Sequence, residues 1–136
     1  MGFEAEWQAL LKIRRSRADN RRRAFSVAER ALQETALAVQ HNQTETEKAA
    51  QALDEAGLGH MAEAGISFSG ESLKNLAARQ EVCRARELDC HQDRLQLQAA
   101  LLARQDDLAA ARQELHQAER KLILTEEALD LVKQLR

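Results

Sequence analysis

Gly57-Leu58-Gly59-His60-Met61-Ala62-Glu63-Ala64-Gly65-Ile66-Ser67-Phe68-Ser69-Gly70 holds four of the five glycines in a chain of 136 residues. The chain has no proline, although average usage of about 5% would supply about seven. This stretch is therefore the one place where the sequence gives a helix a reason to stop. Gly57 suits the left-handed position just past a helix end. Ser69 reads as an N-cap, with Glu71 placing a negative charge in the first turn that follows. We expect the tip of a hairpin over about 57–70, with His60 to Ala64 adding one short helical turn. The expected fold is all-α: a helix over about 3–56 and a second over about 71–136, forming a single antiparallel coiled-coil hairpin.

The repeats on either side support that reading. Leu11, Ala18, Phe25, Leu32, Val39, Thr46 and Leu53 recur every seven residues, and Ala28, Thr35, Ala49 and Ala56 fill the companion positions. In the second half one stripe begins as Leu88, Leu95 and Leu102, then continues as Leu101, Leu108, Leu115, Leu122 and Leu129. Sustained sevens argue for a coiled coil, and the one-residue drift at Leu101 and Leu102 suggests local unwinding. Folding at the tip so that both stripes align places Val39 beside Leu88, Leu32 beside Leu95, Phe25 beside Leu102 and Ala18 beside Ala109. In that register Phe3, Trp7, Leu10 and Leu11 pack on Leu115 and Leu122. Roughly the last ten residues then overhang without a partner, and Leu129, Leu131, Val132 and Leu135 lie in the overhang.

Composition narrows the function classes. Hydrophobic residues reach 44%, but aromatics are only 3%, and much of the apolar content is Ala and Leu, which are helix formers. Charged residues reach 31%. Two helices side by side make no pocket of catalytic size and no enzyme motif is present, so no catalytic residue is expected. His41, His60, His91 and His116 are scattered. His41 approaches Cys83, Cys90 and His91 in the register above, but the short CxxC or HxxxH pairs that hold zinc are missing, so no metal or cofactor is expected. Cys83 and Cys90 stand seven apart on one helix, about 10 Å along its axis, beyond disulfide reach, and read as reduced seam residues. With no basic-then-apolar leader and no apolar run of about twenty residues, the expectation is a cytosolic chain that does not span a membrane.

Lys12, Arg14, Arg15, Arg17, Arg21, Arg22 and Arg23 bring seven positive charges against one negative, Asp19, whereas the chain as a whole carries −2. Arginine clusters neutralise phosphates, yet no aromatics are interleaved here and the net charge is negative, so nucleic acid is not the expected partner. Arginine is also the basic residue favoured at protein interfaces, and docking onto an acidic protein surface fits better. Leu58, Met61, Ile66 and Phe68 form an apolar group at the tip that a two-helix hairpin buries only in part.

The proline-free chain, the basic first helix, the glycine-bearing tip and the run Leu108-Ala-Ala-Ala-Arg-Gln-Glu-Leu-His-Gln-Ala-Glu-Arg-Lys-Leu122 resemble the YscO/FliJ family of type III secretion stalk proteins. The resemblance implies a coupling role. Family members are similar in shape to the central stalk of rotary ATPases, enter the hexameric secretion ATPase by the end carrying both termini, link it to the membrane export gate, and contact export chaperones. It also implies that Arg14, Arg15, Arg17, Arg21, Arg22 and Arg23, with Leu129, Val132 and Leu135, lie at the ATPase-binding end, in a cytoplasmic protein peripheral to a membrane-embedded apparatus. Two alternatives remain: a helical-hairpin secretion chaperone, which needs a continuous apolar stripe outside the seam, and a purely structural coiled-coil module. With the leucines assigned as above, no such stripe is expected.

Overall fold

The computed structural model describes residues 2–57 and 69–135. Two long helices pack against each other, α1 (Gly2–Glu55, 54 residues) and α2 (Gly70–Gln134, 65 residues), and no strand occurs among the described residues. This is the expected all-α hairpin, with both helices within two residues of the expected bounds. The chain divides into two compact units: Met1–Glu34 with Leu102–Arg136, and Thr35–Leu101. In each unit contacts on α2 move down the sequence as those on α1 move up, so the helices run antiparallel. Arg14 meets Lys121 and Arg21 meets Glu114 in the first unit; Asn42 meets Cys90 and Glu45 meets Arg86 in the second.

The helix ends follow the sequence on one side of the tip and depart from it on the other. Ser69 caps α2: the Ser72 amide donates to Ser69 Oγ at 3.1 Å, and Glu71 lies in the first turn. Gly57 is not in the left-handed region. The end of α1 tightens instead, with Gly57 N donating to Asp54 O at 3.0 Å, three residues back, and a Cβ at this position would stand 3.1 Å from that oxygen. Close backbone approach, not a positive φ, is what favours glycine here. The expected turn at His60 to Ala64 and the tip group Leu58, Met61, Ile66 and Phe68 lie outside the described residues.

Along α1 the heptad reading holds. Leu11, Ala18, Ala49 and Ala56 are buried, and Phe25, Ala28, Leu32, Thr35, Val39, Thr46 and Leu53 are half-buried. Along α2 it needs correction. Leu88, Leu95 and Leu102 are 58%, 68% and 64% exposed and face solvent. The buried row is Leu76, Gln80, Cys83, Glu87, Cys90 and Leu97, continuing through Leu101, Leu108, Ala111, Leu115, Ala118, Leu122, Thr125, Leu129 and Val132. Its steps of three and four residues follow one heptad from end to end, with Arg94 and Arg104 as its two exposed positions. The drift at Leu101 and Leu102 is therefore absent: Leu101 is in the seam and Leu102 beside it is not.

The register shifts accordingly. Ala18 packs in one cluster with Leu11, Leu122 and Leu129, which puts it more than one heptad beyond its expected neighbour Ala109, because the leucines used to set the alignment belong to the outer face. Trp7 and Ala118 pack against that cluster. Phe3 stays largely exposed and meets Trp7 edge-on at 6.2 Å between ring centroids. The shift also gives the C-terminal residues a partner. Leu129 is 5% exposed and Val132 half-buried, so neither overhangs, whereas Leu131 and Leu135 remain exposed.

Candidate partner-docking surface

The seven cations from Lys12 to Arg23 occupy three turns of α1, so they cannot share one face and the structure sorts them into separate roles. Arg14 falls on the seam row. Its guanidinium Nη1 donates to the Lys121 carbonyl at 3.1 Å and to Thr125 Oγ1, and Thr125 Oγ1 in turn donates to the same carbonyl at 2.8 Å. Thr125 has no exposed surface, and its hydroxyl is satisfied as both donor and acceptor. Arg14 is thus a structural clamp between the helices, and its charge is turned inward.

Three more arginines reach carboxylates across the seam. Arg21 pairs with Glu114 at 2.8 Å, Arg22 with Glu119 at 3.3 Å and with Asp19 at 2.8 Å, and Arg15 with Glu126 at 3.9 Å. Sequence reading missed these partners, because Glu114, Glu119 and Glu126 stand opposite the arginines only in the corrected register. Lys12, Arg17 and Arg23 have no ion-pair partner among the described residues.

Arg17 lines an open cleft of about 440 Å³ together with Arg14, Asn20, Arg21, Glu114, Gln117, Ala118 and Lys121. Four cations and one carboxylate therefore border this cleft. Each exposed cross-helix pair stabilises by only about 0.2–1 kcal/mol. A partner presenting carboxylates can exchange with Glu114 or Glu119 at little cost, while Arg17 and Lys121 offer charge that no carboxylate among the described residues engages. The cleft suits a flexible acidic segment or an acidic rim, bound electrostatically.

The remaining sequence candidates are dispersed. Leu129 belongs to the buried cluster and Val132 flanks the seam, so of the three C-terminal apolar residues Leu135 alone, 87% exposed, is freely presented. His41, His91 and His116 are exposed, and His91 Nε2 stands 3.6 Å from Glu87. No group of three or more His, Cys, Asp or Glu side chains is placed to hold a metal ion among the described residues. Cys83 and Cys90 are free and half-buried on the seam row, as expected. No helix among the described residues is long and apolar enough to cross a membrane. No protein-family model matches the chain, and no curated protein or solved structure matches it either.

Proposed function

We propose that the chain is a coupling stalk that binds the hexameric ATPase of a type III secretion system through its basic region and links it to the export gate. The observation that carries this reading is the set of unpaired cations, Lys12, Arg17 and Arg23, beside the basic cleft at Arg17 and Lys121. A two-helix hairpin with one basic segment is a binding element by its make-up: its seam has little apolar bulk to spare, and its charge is its most distinctive exposed feature. An acidic rim on the ATPase would be approached by long-range attraction and held by arginine–carboxylate pairs.

The test follows from how the cations divide. Reversing Arg14 would break the seam, so the informative variant is Lys12→Glu, Arg17→Glu, Arg23→Glu, which leaves every cross-helix bond in place. Binding to the purified ATPase hexamer should weaken at least tenfold near 50 mM salt, and the gap should narrow near 500 mM as screening removes the attraction. Unchanged binding at low salt would end this reading.

A second reading, a helical-hairpin secretion chaperone, has one observation in its favour: Leu88, Leu95 and Leu102 are exposed after all. A chaperone of this shape would hold an apolar segment of its cargo along that row, and Leu95→Glu would abolish capture while the triple reversal would not.

A further inference from the structure

α2 carries a second heptad series that α1 does not cover. Ala85, Leu88, Gln92, Leu95 and Ala99 follow one another at alternating steps of three and four residues, and all five are exposed. At 100° per residue this row lies roughly 150° around α2 from the row of Cys83, Glu87 and Cys90 that faces α1. A single exposed leucine needs no explanation. Here, however, Leu88 and Leu95 keep the spacing of a coiled coil within a chain in which 31% of residues are charged. The positions bordering the row, Val82, Arg84, Asp89, His91, Gln96 and Gln98, include only one acid and one arginine.

We propose that this row is a self-association surface, on which a second copy of the chain lays its own Ala85–Ala99 row antiparallel about a two-fold axis. The order of residue sizes fits a two-fold pairing. Leu88 meets Ala99 of the second copy and Gln92 meets Leu95, so every layer sets a leucine against a small or flexible side chain and the helices can approach closely. Charge selects this register over its neighbour. One heptad away Asp89 would face Asp89 of the second copy, whereas here Asp89 faces Gln96 and His91 faces Gln98, and no like charges meet within the paired stretch, which ends where Glu81 of one copy would stand against Asp106 of the other. The paired stretch is about 18 residues, about 27 Å long and about 10 Å wide, so each copy covers on the order of 300 Å². That is well below the roughly 800 Å² per partner of a stable complex, so the association is weak and shows only at high protein concentration.

Sedimentation equilibrium from about 10 µM to 1 mM tests the proposal. Wild type should show a concentration-dependent dimer. Leu88→Glu and Leu95→Glu should stay monomeric at every concentration with unchanged helicity, because both side chains already face solvent. Gln92→Leu, which puts leucine against leucine in two layers, should tighten association at least tenfold. With Cys83→Ser and Cys90→Ser as background, a mixture of Leu88→Cys and Ala99→Cys chains should form the mixed disulfide in preference to either homodimer. Monomeric wild type and Gln92→Leu at 1 mM would overturn the proposal and leave the row to a different protein. A Leu95→Glu variant that dimerises like wild type, or Leu88→Cys chains linking only to themselves, would overturn it as well.

Discussion

Over residues 2–34 and 102–134 the seam carries Trp7, Leu11, Phe25, Leu32, Leu108, Leu115, Leu122 and Leu129; over residues 35–101 the equivalent rows carry Val39, Leu53, Leu76, Leu97 and Leu101 interrupted by Asn42, Thr46, Ala49, Gln80, Cys83, Glu87 and Cys90. The heptad geometry is the same and the contents differ. The first unit encloses a cluster of buried apolar side chains and ties its helices with Arg14 and three arginine–carboxylate pairs. In the second, among the described residues, a bond from Asn42 Nδ2 to the Cys90 carbonyl at 3.1 Å and an ion pair, Arg86 to Glu45 at 3.2 Å, join α1 and α2. Fewer buried methylenes mean less stabilisation per turn, so the second unit should open at lower free energy than the first. Hydrogen exchange should show this as faster exchange of the α2 amides over 76–97 than over 108–129.

The largest single effect should come from the apolar cluster. Leu129→Ala should cost about 2–4 kcal/mol in urea unfolding followed by circular dichroism, because its side chain is 5% exposed and packed on Leu11 and Leu122. Leu95→Ala, on the outer face, should change stability by less than about 0.5 kcal/mol. The reverse ranking would restore the register in which the outer leucines form the seam. Phe25→Ala comes next, at about 1–2 kcal/mol. Its ring is half-buried, and the Arg112 guanidinium carbon lies 6.0 Å from its centroid, so the loss is smaller than for a fully enclosed ring. A cost above about 3 kcal/mol would show that the ring is buried more deeply.

These rankings also show where the sequence is legible. The hairpin, its two helices and the apolar and small positions of the α1 row could be read because proline is absent, the glycines are grouped, and α1 keeps apolar or small residues at nearly every seventh position; the polar seam positions Arg14 and Asn42 could not. The α2 row could not, and the cause is specific. From 80 to 94 its inner positions hold Gln80, Cys83, Glu87, Cys90 and Arg94, while Leu88 and Leu95 stand one residue after Glu87 and Arg94. A reading that follows leucine takes the outer row for the inner one, and every cross-helix pairing moves with it. Asn42 carried the missing signal: a buried amide needs a partner, and its bond to Cys90 fixes which α2 residues stand opposite it. The basic segment was legible as a charge run, but its division into one clamp, three paired arginines and three unpaired cations depends on that same register.

Polar seam residues give the next contrast. Asn42→Leu should raise stability by about 1 kcal/mol, since it adds apolar burial and the Cys90 carbonyl sits inside a continuous helix, but it should also loosen the register. Thr125→Val should lower stability by about 1–2 kcal/mol, because the Arg14 guanidinium, turned into the seam, loses its hydroxyl acceptor. Both can be read by urea titration. A stabilising Thr125→Val would mean that the clamp contributes alignment and no free energy.

The smallest expected effect bears most directly on function. Arg21 and Glu114 are about half exposed at 2.8 Å, so a double-mutant cycle of Arg21→Ala and Glu114→Ala should give a coupling of about 0.2–0.5 kcal/mol at low salt, fading toward zero near 1 M salt. A weak pair is what a docking surface needs, because Glu114 then competes poorly with a partner's carboxylates for the same guanidinium. A coupling above about 1.5 kcal/mol would mean that Arg21 is committed to the seam as Arg14 is. The basic cleft would then have only Arg17 and Lys121 to offer an acidic partner, and the proposed docking would have to rest on Lys12, Arg17 and Arg23 without help from the paired arginines.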